Sequence, residues 1–219
     1  MATTHTTARS LFDDSRLTQL GDAEGITWDD RTLCIALNQA ISLLLTMRPD
    51  ATLKRSIIEL DEDSRQQLPE DGLKLIKVIR NINGDGSIGQ AIRVVQMDDL
   101  NSIHALWHTA KGNVIHEYCF DPLSPKTFYV YPSPSTGVLV RIEIEYCALP
   151  AQINEQNLDE LLPFDAIFDQ AVIELMLYKL LSGDNQQGRN NTQHYQNAMS
   201  ILQVQGQNSG AISPIEREM

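Results

Sequence analysis

The sequence contains no apolar run near the ~18 residues that a membrane-spanning helix requires. Its opening stretch, MATTHTTARSLFDDSRL, holds no apolar segment of the kind that forms a secretory leader. Neither a membrane partner nor export is expected. Cysteine is sparse: Cys34, Cys119 and Cys147 are odd in number, widely spaced and without a CxxC pair. That argues against a disulfide framework and fits synthesis in a reducing cytoplasm. Each thiol then reads as a small buried hydrophobe. Basic residues are few and scattered, 17 against 29 acidic for a net charge of −12. Such a surface repels phosphate and cannot draw DNA into a groove by counterion release.

The motifs of enzyme chemistry are also missing. His104 and His108 in HALWH have a spacing that can share one helix face, but a zinc hydrolase places Glu second in HExxH and here that position is Ala105. His116 or Glu117 could add a third ligand, yet nothing in the sequence fixes either one there. NGDGSIGQ has three glycines but neither the Lys-Ser/Thr of a phosphate loop nor a following apolar helix. Ser133 and Ser135 in PSPSTG read as turn residues and not as a nucleophile elbow. No catalytic residue, cofactor or metal is assigned, and the chain is not expected to be an enzyme.

What the sequence does contain is a core. Apolar residues make up 42% of the chain, enough to exclude wholesale disorder. Residues 1–25 are rich in Thr, Ser, Asp and Gly and read as a flexible N-terminal arm. Leu33, Leu37, Ala40, Ile41 and Leu44 then recur at helical period, preceded by Thr27 as a candidate cap and by Asp29 and Asp30 at the positive end of the helix dipole. Pro49 closes that helix. Leu43 and Leu45 lie off the main stripe and offer apolar surface for a neighbour or further core.

Residues 53–150 change period. Val138, Val140, Ile142, Ile144 and Tyr146 alternate with Leu139, Arg141, Glu143 and Glu145, the mark of a strand with one buried and one largely charged face. Residues 73–80, 91–95, 114–120 and 128–131 add further strands. Asn83-Gly84-Asp85-Gly86 reads as a turn, and Asp98 to Trp107 as one short helix. Helical period returns at Pro163, expected in a first turn, with Phe164, Ile167, Phe168, Ala171, Val172, Leu175 and Met176 on one face. A polar connection, Ser182 to Gly188, leads to a last helix carrying Tyr195, Ala198, Met199 and Leu202. The expected class is α+β: a three-helix bundle, one N-terminal helix packed on two C-terminal helices, with an inserted and mainly antiparallel β-sheet region. A four- to six-stranded sheet is expected.

The order of signatures along residues 26–205 resembles the head-to-tail adaptor, or connector, proteins of short-tailed bacteriophages. The residues that carry the likeness are Trp28, Leu37-Asn38-Gln39-Ala40 and Arg48-Pro49-Asp50-Ala51, then Gln67-Leu68-Pro69, Gly72 and Arg80-Asn81. Trp107, Tyr118, Asp121-Pro122 and Pro125 follow. Phe128-Tyr129-Val130-Tyr131-Pro132, Tyr146, Pro150, Tyr178, Tyr195 and Ala198 complete the set. The resemblance implies one adaptor domain over 26–204, with its helices in 26–50 and 162–204 and its β-rich insertion at 53–150. It also implies a twelvefold ring between the portal and a tail nozzle or hub protein, in the neck of the virion. That ring lines a conduit through which genomic DNA passes without specific binding. A β-sheet-based module that binds a ligand or peptide is the alternative, and it predicts a concave apolar pocket.

Gly206, Gly210 and Pro214 disfavour a helix at the C-terminus, so residues 205–219 read as an extended tail. It carries Ile212, Pro214 and Ile215 beside Glu216 and Arg217, two apolar anchors and charges that could set register on the portal.

Overall fold

The computed structural model describes residues 6–182 and 188–212. The class is α+β, and the chain divides into two compact units. One comprises the residues up to Ala51 together with those from Ala151, and the other is Thr52–Pro150.

The first unit is helical. Helix α1, Ala8–Ser15, opens on a capping box in which Thr7 and Ser10 satisfy each other's backbone N–H groups. Leu11 and Phe12 are buried, and Arg9 donates its N–H to the Leu158 carbonyl at 3.0 Å. The expected arm is thus a helix with core residues from position 8, because its few large apolar side chains find partners far away in sequence. One π-helical turn, Arg16–Leu20, follows and ends at Gly21, whose φ of +60° suits glycine.

Helix α2, Asp30–Met47, is capped by Asp29 and not by Thr27, the Asp29 carboxylate accepting the Thr32 N–H at 2.8 Å. Leu33, Leu37, Ala40, Ile41 and Leu44 are all buried. Leu45 is buried too and belongs to the core. Arg48 leaves helical geometry before Pro49, and its guanidinium grips both oxygens of Asp50.

Pro163 lies outside the next helix. Asp165 accepts the Ile167 N–H at 3.0 Å and starts a 3-10 turn, Ala166–Phe168, which leads into α4, Asp169–Leu181. α4 buries Val172, Ile173, Leu175, Met176, Leu177 and Leu180, which lie on more than one face, so it must be covered on several sides. α5, Gly188–Ile212, packs on it through a face that includes the buried Ala198 and Leu202. Among the described residues the main helix contacts run α2–α4–α5 with α4 central. α5 also continues past position 205, where an extended tail was expected. Gln205 is held by its Nε2 on the Ile167 carbonyl, and a helical glycine costs only about 1 kcal/mol. Of the connection Ser182 to Gly188, residues 183–187 lie outside the described residues.

The second unit carries the strands. β1 (Leu53–Glu59), β2 (Arg65–Gln67), β3 (Gly72–Ile82), β4 (Ile88–Ala91) and β5 (Arg93–Val94) precede a helix, α3 (Met97–Ile103). β6 (Lys111–Gly112), β7 (Glu117–Phe120), β8 (Thr127–Tyr131), β9 (Ser133–Pro134) and β10 (Arg141–Ala148) follow it. They form two four-stranded sheets, ordered β1-β10-β3-β4 and β2-β8-β7-β5, and a two-stranded one, β6-β9. The single larger sheet expected from sequence is thus split. The first sheet is antiparallel throughout, while β5–β7 and β6–β9 pair in parallel. Leu75, Val78, Ile142, Ile144 and Tyr146 of the first sheet and Tyr118, Phe128 and Val130 of the second share one buried cluster. Asn81 sits within this unit as a buried polar strut. Its amide donates to the carbonyls of Gln90 and Ile115 and accepts the Ile115 N–H, so little of its desolvation is left unpaid.

Candidate interface surfaces

The two histidines that sequence offers for catalysis are exposed and rest against aromatic rings. α3 ends at Ile103, so His104 and His108 do not share a helix face. His104 stacks on Tyr131 and His108 on Trp107, with ring centroids 5.1 and 3.6 Å apart. Nδ1 of His108 lies 2.9 Å from Ser64 Oγ. Trp107 is buried and donates its indole N–H to Asn101 Oδ1 at 2.9 Å. Among the described residues no three His, Cys, Asp or Glu side chains are grouped to hold a metal ion. All three cysteines are buried, and burial pushes the Cys119 thiol up to about 11.

Among the described residues two surfaces have the chemistry of contact. The first is the loop after α1. The Asp22 carboxylate accepts the N–H groups of Trp28, Ile26 and Thr27 at 2.8 to 3.0 Å. These bonds, led by the one from Trp28, hold it below the usual carboxylate range. Arg16 ties the loop's far side, donating to the Trp28 carbonyl and to Asp30, both at 2.8 Å. A loop so fixed presents Ile26, 80% exposed, as a set knob with Leu17 also exposed.

The second surface is the outer face of the β1-β10-β3-β4 sheet. Cross-strand register brings Arg55, Lys77, Arg80 and Arg141 among Glu59, Glu143 and Glu145. Glu145 is bonded by Arg55 at 2.8 Å and by Lys77 at 2.9 Å, and Arg80 bonds Glu143 at 2.5 Å. Ile142 and Ile144 point to the core as the alternation requires, and Glu145 is covered on the charged face by its two cations. Burial raises the Glu145 carboxyl, but the bonds and charges of Lys77 and Arg55 outweigh it, and the group sits below the ordinary glutamate value. A depressed folded value means that ionised Glu145 stabilises the fold above the unfolded value, about 4.3, and that the benefit is lost as pH falls through the folded one. In urea unfolding, Glu145→Gln should therefore lie below wild type at pH 7. The gap should begin to close below about pH 4.3. A constant gap down to the acid limit would show that the ion pairs contribute nothing.

Of the C-terminal candidates named from the sequence, only one lies in a described element. Ile212 is the final residue of α5, while Pro214, Ile215, Glu216 and Arg217 lie outside the described residues.

Comparison with known proteins supplies the role. A family model described as SU10 adaptor protein matches residues 6–217. The chain belongs to that family. The SU10 adaptor family gives it a structural role as a phage adaptor, a component of the virion that works with portal and tail proteins. No curated protein matches the chain. No described helix is long and apolar enough to cross a membrane.

Exposed apolar residues that sequence reasoning overlooked include Ile26, Ile57 and Ile88, each more than half exposed. Ile57 had a legible signal. In Leu53-Lys54-Arg55-Ser56-Ile57-Ile58-Glu59 two adjacent isoleucines on a strand must point to opposite faces, so one of them has no core to enter.

Proposed function

We propose that copies of this adaptor form a ring, twelvefold by family resemblance, between the portal and the tail nozzle or hub of a short-tailed phage. The ring lines the channel through which the genome passes. The observation that carries this reading is the family match across residues 6–217. Charge supports it. The helical unit's segments, 1–51 and 151–219, hold 7 basic against 16 acidic residues, whereas 52–150 holds 10 against 13. Negative charge is thus concentrated in one unit, and a channel wall made from that unit would let DNA slide without adhering. The C-terminal residues Ile212, Pro214, Ile215, Glu216 and Arg217 are the proposed portal anchor.

The direct test mixes the purified adaptor with purified portal and measures the mass of the product. Several adaptors per portal oligomer are expected in one stable species. Separate migration of the two proteins at every concentration would reject the reading.

A further inference from the structure

The β1-β10-β3-β4 sheet ends in two strands whose outer sides pair with no strand among the described residues, β1 and β4. β1 is seven residues long and pairs with β10 in unbroken register, whereas β10 on β3 shifts register three times. The Leu60 N–H bonds the Val140 carbonyl, and these two residues stand directly opposite in the same register. In an antiparallel pair such bonds fall on alternate residues. Ser56 and Ile58 therefore bond β10, while Leu53, Arg55, Ile57 and Glu59 turn their backbone N–H and C=O groups outward. A straight, bulge-free edge of this length with apolar side chains is the kind that soluble proteins ordinarily shorten, bulge or cover. Here Leu53 and Ile57 are about half exposed, and at the other edge Ile88 is 65% exposed.

Resting on the ring reading above, we propose that β1 of one copy pairs with β4 of the next, so that the sheets of neighbouring copies join. Strand direction favours this occupant. The sheet has four strands and alternates throughout, so β1 and β4 run in opposite directions. When a second copy is set beside the first in the same orientation, its β1 meets β4 antiparallel and the alternation continues. The two edges differ in sequence, so the contact is head-to-tail, as ring closure requires. Charge permits it as well. On a chain of net charge −12, the outer face of this sheet has as many cations as carboxylates or more, with Arg55 on β1 itself, while Asp85 lies at the turn leading into β4. Copies can approach along this edge without the repulsion that acidic surfaces would meet.

The test uses the full chain assembled on portal. Ile57→Cys combined with Ile88→Cys, treated with a short bis-maleimide, should give a ladder of covalent multimers on a denaturing gel. Either single variant should stay monomeric, since the native cysteines are buried. Ile57→Pro removes only an outward N–H, so it should keep the thermal melt of wild type yet lose multimeric assembly. Covalent dimers from Ile57→Cys alone would replace the proposal with two-fold β1–β1 pairing. A multimeric wild type that gives no ladder, with Ile57→Pro assembling normally, overturns the edge contact and leaves the ring intact. A wild type that binds portal as single copies overturns both.

Discussion

Replacing Leu37 with alanine should destabilise the helical unit by about 2–5 kcal/mol, the range for emptying a fully enclosed leucine site. Leu37 has no exposed surface, and neither have Val172 and Leu175 of α4, the helix on which α2 packs. Because α4 is enclosed on several sides, its surroundings cannot collapse readily into the space left behind, which favours the upper half of the range. For a chain of this length each kcal/mol lowers the melting temperature by roughly 2–4 °C. A drop of roughly 7–20 °C in the loss of helical signal is therefore expected. Cys34→Ala, by contrast, removes a single buried sulfur from the same helix and should cost far less. Equal melting of Leu37→Ala and wild type would mean that α2 is not seated on α4.

Removing residues 213–219 should leave the protein folded and abolish its stable attachment to portal. The truncation spares α5 through Ile212, and with it the packing of Ala198, Leu202 and Gln205, so circular dichroism and the melting curve should stay close to wild type. What it removes is Pro214, Ile215, Glu216 and Arg217. Burying one isoleucine in a partner contributes about 1.5–3 kcal/mol, a modest sum for one tail. Repeated in every copy of a ring it becomes decisive, because each engaged tail makes the next engagement intramolecular. Ile215→Asp in the full chain separates anchoring from chain length and should weaken attachment as the truncation does. Attachment as tight as wild type in both variants would move the docking role to the Ile26 loop or the sheet.

Much of the helical unit could be read from its pattern, and the reasons are local. Leu33, Leu37, Ala40, Ile41 and Leu44 recur at 3.6 residues because one face of α2 meets the core, and Val140, Ile142 and Ile144 alternate because one face of β10 does. α1 escaped notice for the opposite reason. Its signal is a capping box at Thr7 and Ser10 and two large apolar residues, and what makes it a helix is contact with residues near Leu158, some 150 positions away. At the C-terminus, Gly206 and Gly210 point away from a helix, but a glycine lowers helix propensity only modestly and the packing of α5 upstream outweighs it. His104 and His108 have the spacing of a helical pair, yet α3 closes at Ile103 and each ring settles on an aromatic neighbour. Two sheets in place of one could not be foreseen, since pairing depends on which strands meet across loops and alternation reports only which face is buried. The exposed apolar residues were hard to find for a related reason. Ile26 and Ile88 become conspicuous only when their neighbours are seen to bury themselves and leave them outside.

The central claim is that many copies of this chain surround one axis at the portal. The most direct measurement is end-on imaging of adaptor bound to portal, averaged without imposed symmetry. The account predicts a closed ring of repeated adaptor density, twelve copies around an open central channel, with density continuous between neighbours at the level of the sheet. Isolated single copies on the portal rim, or density that fills the channel, would contradict it.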